Sequence, residues 1–155
     1  TRKSKTVKVA GLMVVLSKRR ICQMTPRFRA WDKHNQNMFA NDELIIWDNN
    51  VYANDSKKLS CNYLKGWSID EEYLMQSTGV FDENGVEIFE GDILAVETDD
   101  GTLNVNVFWD EGHALFMFES KQYNEKEALA ELLEDDSYPF EIIGNIYENK
   151  ELLDA

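Results

Sequence analysis

Val80-Phe81-Asp82-Glu83-Asn84-Gly85-Val86-Glu87-Ile88-Phe89-Glu90-Gly91-Asp92-Ile93-Leu94-Ala95-Val96 holds three short apolar runs separated by two acidic, glycine-containing turns. Short runs rich in β-branched residues and bounded by turn residues read as strands, not helices. Asn84-Gly85 adds to this, because Asn-Gly tolerates the positive φ angles of a tight hairpin. Glu90-Gly91-Asp92 is a second turn that feeds directly into residues 93–96. A chain that reverses direction twice within so short a stretch is laying down an antiparallel sheet.

The pattern continues downstream. Asp99-Asp100-Gly101-Thr102 is a turn, and after it Leu103, Val105, Val107 and Trp109 alternate with Asn104, Asn106 and Phe108. That period of two marks a strand with one mostly polar face. Asp110-Glu111-Gly112-His113 turns the chain again, into a strand over 114–118. One helix is predicted over 125–135. Asn124 and Glu127 have capping-box spacing, Ala128, Leu129, Leu132 and Leu133 form one apolar stripe, and Pro139 prevents continuation. Phe140-Glu141-Ile142-Ile143-Gly144-Asn145-Ile146-Tyr147 reads as a closing strand bent at Gly144. Strands at this spacing predict a meander closing into a small barrel or sandwich.

Upstream the elements are shorter. Arg27-Phe28-Arg29-Ala30-Trp31 alternates as a half-buried strand, and residues 32–37 form a polar turn before Met38-Phe39. Leu44-Ile45-Ile46-Trp47 is a strand ended by Asp48-Asn49-Asn50, with Val51-Tyr52 as its hairpin partner. Residues 53–66 give no clear pattern.

The chain has 155 residues, 43% hydrophobic and 29% charged, enough to bury a core. Its net charge of −13 disfavours a whole-surface grip on nucleic acid or an anionic membrane. No apolar run reaches the roughly 18 residues of a membrane span. Two cysteines, Cys22 and Cys61, are too few for a disulfide framework or a structural zinc site, which fits a reducing cytoplasm.

Charge is unevenly distributed. Residues 1–23 carry Arg2, Lys3, Lys5, Lys8, Lys18, Arg19 and Arg20 and no acid, leaving a net −20 on 24–155. A secretory signal is one reading, but Ser17-Lys18-Arg19-Arg20 stands where a small-residue cleavage site belongs. A basic nucleic-acid-binding arm is another. The favoured expectation is that 1–23 is a leader upstream of the native start, with Arg19-Arg20 a translated ribosome-binding site and Met24 the initiator. The β-prone stretch 7–16 could also pair with an exposed sheet edge.

No catalytic constellation emerges. The chain has no HExxH, GxSxG, GxxxxGK[ST] or GxGxxG. His34 and His113 fall in turns and read as surface residues. Cys61 reads as a small semi-buried side chain, and Cys22 falls in the leader. Asp82-Glu83-Asn84-Gly85 fails as a calcium loop, since counting back from Gly85 puts Val80 at the first ligand position. Glu90 and Asp92 bracket a glycine at a strand start, and a metal or general-base role competes there with backbone hydrogen bonding in a turn. Glu134-Asp135-Asp136 reads as a solvated run at a helix end. Trp31, Trp47, Trp67 and Trp109 could stack bases, but few basic residues surround them and core packing accounts for them more simply. The expected sets of catalytic, cofactor-binding and metal-binding residues are therefore empty.

Three stretches together resemble the YopX family of bacteriophage and prophage proteins: Phe28-Arg29-Ala30-Trp31-Asp32-Lys33; Leu74-Met75-Gln76-Ser77-Thr78-Gly79 running on to Ile88-Phe89-Glu90-Gly91-Asp92-Ile93; and Ile142-Ile143-Gly144-Asn145-Ile146-Tyr147-Glu148-Asn149 with Glu151-Leu152-Leu153. The resemblance covers about residues 26–153. It implies a mostly β fold that includes a small SH3-like barrel, a phage or prophage gene in a Gram-positive bacterium, and a start at Met24. It carries no established activity, so no site residue transfers. Ser77, where the family more often has a bulky aromatic, and the basic leader depart from its pattern. The resulting expectation is a leader over 1–23, an N-terminal β segment over 24–72, and an SH3-like barrel over 73–153 with the helix 125–135. The expected function is a non-enzymatic interaction module of the bacterial cytoplasm that binds another protein or itself. The alternatives are a nucleic-acid-associated regulator, by the basic arm or by an acidic DNA-mimicking surface, and an enzyme using Glu90 and Asp92.

Overall fold

The computed structural model describes residues 26–53 and 68–154. The leader, Cys22, Cys61 and Trp67 lie outside the described residues. Three antiparallel sheets make up the described chain. The first has the order β2-β1-β6-β7, from β1 (Phe28–Asp32), β2 (Asn37–Phe39), β6 (Leu74–Phe81) and β7 (Glu87–Phe89). The second has the order β3-β4-β5, from β3 (Leu44–Trp47), β4 (Asn50–Ala53) and β5 (Ser68–Ile69). The third has the order β11-β10-β9-β8-β12, from β8 (Asp92–Thr98), β9 (Gly101–Asp110), β10 (Leu115–Ser120), β11 (Glu125–Ala128) and β12 (Phe140–Asn145).

The mostly β expectation is met, and most turns fall where their residues predict. Asp48 and Asn49, with φ of 48° and 61°, close the β3–β4 hairpin as a two-residue turn with both central φ angles positive. The third sheet is a meander from β8 to β11, after which the chain crosses back to lay β12 beside β8. It curls into half a barrel, and among the described residues its outer strands β11 and β12 do not pair with each other. Gly144 marks a register shift in β12, as its position in the closing strand predicts.

Two details differ from expectation. The helix over 125–135 shrinks to α1 (Glu131–Glu134), and Glu125–Ala128 is strand β11, paired with β10 from Ser120↔Glu125 to Met117↔Ala128. A helix N-cap needs an extended backbone, but Asn124 takes φ 52° and closes the tight β10–β11 turn instead. The apolar stripe still reaches the core, because Leu129 at the strand's end and Leu132 in α1 are both buried. The loop after β6 also differs. Of Asn84 and Gly85 only the glycine has positive φ, at 77°, so this is not a two-residue Asn-Gly turn. The Asp82 carboxylate organises the loop, accepting from the N–H groups of Asn84 (3.0 Å) and Val86 (2.8 Å) through Oδ1.

The larger core lies inside the half barrel, where Ile88, Leu94, Val96, Val105, Val107 and Phe118 meet Leu129, Leu132 and Phe140. A smaller core under the first two sheets joins Ala30, Phe39, Val51, Ala53 and Ile69. The two regions share a seam: β6 pairs with β1 on one side and β7 on the other, so the first sheet draws strands from both sides of residue 72. The C-terminal turn Lys150–Leu153 caps β9, where Asn104 Nδ2 donates to the Leu152 carbonyl at 2.9 Å. Among the described residues no helix is long and apolar enough to cross a membrane.

Candidate functional site

A buried polar network lies on the seam, around Asp92 at the start of β8. Its side chain is only 2% exposed. Oδ1 lies 2.8 Å from Arg29 Nη2 of β1, and Oδ2 accepts the Phe89 N–H at 2.8 Å. The same Arg29 nitrogen donates to the Glu90 carbonyl at 3.0 Å, and the guanidinium sits 5.0 Å from the centre of the Phe89 ring. Arg29 Nε is buried and has no acceptor among the described residues. Arg29 thus holds together β1, β7, the turn after it and β8. A buried charge of this kind is tolerable only when its partner is equally fixed.

Glu90 is half-buried, and its side chain also serves the backbone. Oε1 accepts the Gln76 N–H at 2.9 Å, while its own N–H donates to the Gln76 carbonyl at 3.0 Å. Burial pushes the carboxyl above its ordinary value, against the pull of the Gln76 N–H and Arg29. Asp92 is also raised, by burial first, with Arg29 and the Phe89 N–H opposing and the Asp82 charge reinforcing. A carboxyl raised in the folded state favours folding most below its unfolded pKa and loses that contribution as pH rises through the folded value. Glu90→Gln keeps an acceptor for Gln76 and removes this ionisation. The variant is expected to match or exceed the wild type in urea unfolding at pH 7, the gap closing in acid below the ordinary 4.5.

Gly91 is required between these carboxylates. Its φ is 81°, its N–H donates to Val107 O and its carbonyl accepts from Ile146 N, both at 2.8 Å. A Cβ there would lie 3.2 Å from Met75 Sδ and 3.3 Å from Ile146 Cγ1. Gly91→Ala is expected to cost about 1–2 kcal/mol, from backbone strain plus crowding. Thermal unfolding of the variant measures it.

Beside this network lies a stack of aromatic rings. Tyr147 lies parallel to the buried Trp31, with ring centres 5.4 Å apart and planes at 9°, and Tyr73 tilts against it at 5.9 Å. Tyr147 Oη donates to the Glu72 carbonyl at 3.2 Å, and Lys33 Nζ sits 5.3 Å from the Tyr73 ring centre while bonding Asp70. Burial, with Tyr73 and Glu72 nearby, raises the Tyr147 phenol. This stack joins β1 to the segment after β12, as the ion pair joins β1 to β8.

The remaining candidates are scattered. His34 is exposed in its turn. His113 is exposed too, with Nδ1 2.7 Å from Asp110 Oδ2. Trp31 is core, whereas Trp47 is 68% exposed and Trp109 39% exposed, the latter edge-on to Phe116. Asp135 bonds Ser137, which lowers its carboxyl, and Glu134, Asp135 and Asp136 are exposed. Among the described residues no three His, Cys, Asp or Glu side chains gather as metal ligands. Of the pair singled out in sequence, Asp92 has both oxygens committed within the protein and Glu90 binds backbone. Arg29 is not among the candidates the sequence singles out, and its signal there is a long basic side chain inside a strand otherwise built to be half-buried.

A family model described as YopX protein matches residues 27–154. Two crystal structures are similar to the chain. Protein EF1440 from Enterococcus faecalis is 27% identical, with a TM-score of 0.54 over 83% of this chain and 98% of its own. Protein yopX from Bacillus subtilis is 22% identical, with a TM-score of 0.54 over 82% of this chain and 97% of its own, a likeness of fold. No curated protein matches the chain.

Proposed function

The chain belongs to the YopX family, and from that premise we propose that it is a non-enzymatic interaction module, encoded by a phage or prophage and acting in the cytoplasm of the bacterial host. The observation that carries the reading is the fate of Glu90 and Asp92. The acids best placed for chemistry are spent on Arg29 and on backbone N–H groups, which is how a fold uses carboxylates to hold itself together. Among the described residues, what faces outward is an acidic β surface with exposed rings at Trp47, Trp109 and Tyr123. Exposed aromatic side chains are characteristic anchors of protein–protein contacts. The partner is another protein or a second copy of the chain.

Affinity capture of the tagged chain from host cells, with and without nuclease, combined with light scattering of the purified protein, tests this. The expected result is a stoichiometric protein partner or a self-association that survives nuclease. A monomer that captures nothing overturns it, and capture that nuclease abolishes moves the function to nucleic acid.

A further inference from the structure

Asn84-Gly85 is the one Asn-Gly pair in the 155-residue sequence, and both residues are exposed in the loop between β6 and β7. Such a pair carries a reaction of its own. The backbone nitrogen of the second residue can reach the side-chain carbonyl of the Asn, and a glycine there has no Cβ to shield it. A Cβ built on Gly85 would meet nothing within 4 Å, so the surroundings do not crowd the attack either. In the reaction the Gly85 nitrogen bonds Asn84 Cγ, the Cγ–Nδ2 bond breaks, and ammonia leaves with the proton that Gly85 gives up. Water then opens the cyclic imide. Opening at Cγ gives Asp, and opening at the backbone carbonyl gives isoaspartate, with an extra methylene in the main chain.

The loop occupies the groups this reaction requires. The Gly85 N–H donates to the Asp82 carbonyl at 3.0 Å, and Asn84 Nδ2 donates to Glu141 Oε2 of β12 at 3.3 Å. The attacking nitrogen and the departing amide are thus both held. The Asn84 and Val86 N–H groups fix the backbone on either side, donating to Asp82 Oδ1 at 3.0 and 2.8 Å. The same loop lies along the outer edge of β12. The Ile142 N–H donates to Asp82 Oδ2 at 3.0 Å, and the Glu83 N–H to the Phe140 carbonyl at 3.2 Å. An isoaspartate at 84 lengthens the main chain between the two N–H groups that share Asp82 Oδ1. It also adds a carboxylate beside Asp82 and Glu141, where like charges repel.

We propose that Asn84 is a site of spontaneous deamidation by water, that opening of the Asp82 loop sets its rate, and that the isoaspartyl product releases the loop from β12. This goes beyond the interaction reading and does not depend on it.

Mass spectrometry of the full chain, incubated at mildly alkaline pH either native or unfolded in urea and then digested, tests the proposal. Conversion at Asn84 is expected to be at least about tenfold slower in the native chain, because only the opened loop reacts. Asp82→Asn keeps a neutral acceptor in place of the charged one, and is expected to convert about threefold or more faster than the native wild type. Slow exchange of the Val105 amide in the third sheet shows that this variant is folded, and the wild-type comparison stands without it. In the isoaspartyl form, separated by ion exchange, the Ile142 amide is expected to exchange about tenfold faster by NMR while Val105 is unchanged. Equal rates in the native and unfolded wild type overturn the proposal, as does no conversion at Asn84 in the unfolded chain. So does a folded Asp82→Asn that converts no faster than the wild type, or an isoaspartyl form whose Ile142 amide is as slow as before.

Discussion

Arg29→Ala is expected to destabilise the fold by about 3–5 kcal/mol, the cost of stranding a buried charge whose partner cannot leave. Asp92 has almost no exposed surface, and its second oxygen is tied to the Phe89 N–H, so it cannot swing out to water. The substitution also removes the donor to the Glu90 carbonyl and the cation lying on Phe89. Urea unfolding followed by tryptophan fluorescence measures the loss. Replacing both partners, as in Arg29→Met with Asp92→Leu, is expected to recover much of it, because an apolar pair of similar volume has no charge to desolvate. A single variant that costs under about 1 kcal/mol contradicts the structural role given to this pair.

Asp82→Ala is expected to cost about 3–6 kcal/mol, reading each of three charge-assisted hydrogen bonds lost to a part-buried N–H at about 1–2 kcal/mol. The carboxylate is 7% exposed and accepts three such bonds: from Asn84 and Val86 within its own loop, and from Ile142 of β12 at 3.0 Å through Oδ2. It ties the loop of the first sheet to the outer strand of the third. The loss is expected to appear in thermal unfolding and, by hydrogen exchange, as faster opening of the Ile142 amide than of Val105. Uniform weakening of both amides would show that Asp82 supports the whole fold rather than this junction.

The strands were largely legible because their turns are written in local chemistry. Asp48-Asn49, Glu90-Gly91 and Asp99-Asp100-Gly101 announce reversals whatever the rest of the chain does. The β11 segment was misread because Asn124 serves equally as helix cap or left-handed turn residue, and only its neighbour β10 decides between them. The seam was illegible for a related reason. Arg29 reaches a carbonyl 61 residues away, and Asp82 reaches an amide 60 residues away. Nothing near either residue in sequence reveals such a partner. Likewise Trp31 announced burial but not that Tyr147 would lie flat upon it. Periodicity reports which face turns inward, and not what it meets there.

The separation of Arg29 from its carboxylate also orders events on the ribosome. When β1 emerges, neither its central strand partner β6 nor its counter-ion has yet been synthesised. The nascent chain must carry an uncompensated guanidinium in solvent until the tunnel has released the start of β8. The meander that follows finds its partners within a few residues of each turn. The meander β8–β11 is therefore expected to form before the opening hairpin is fastened to it.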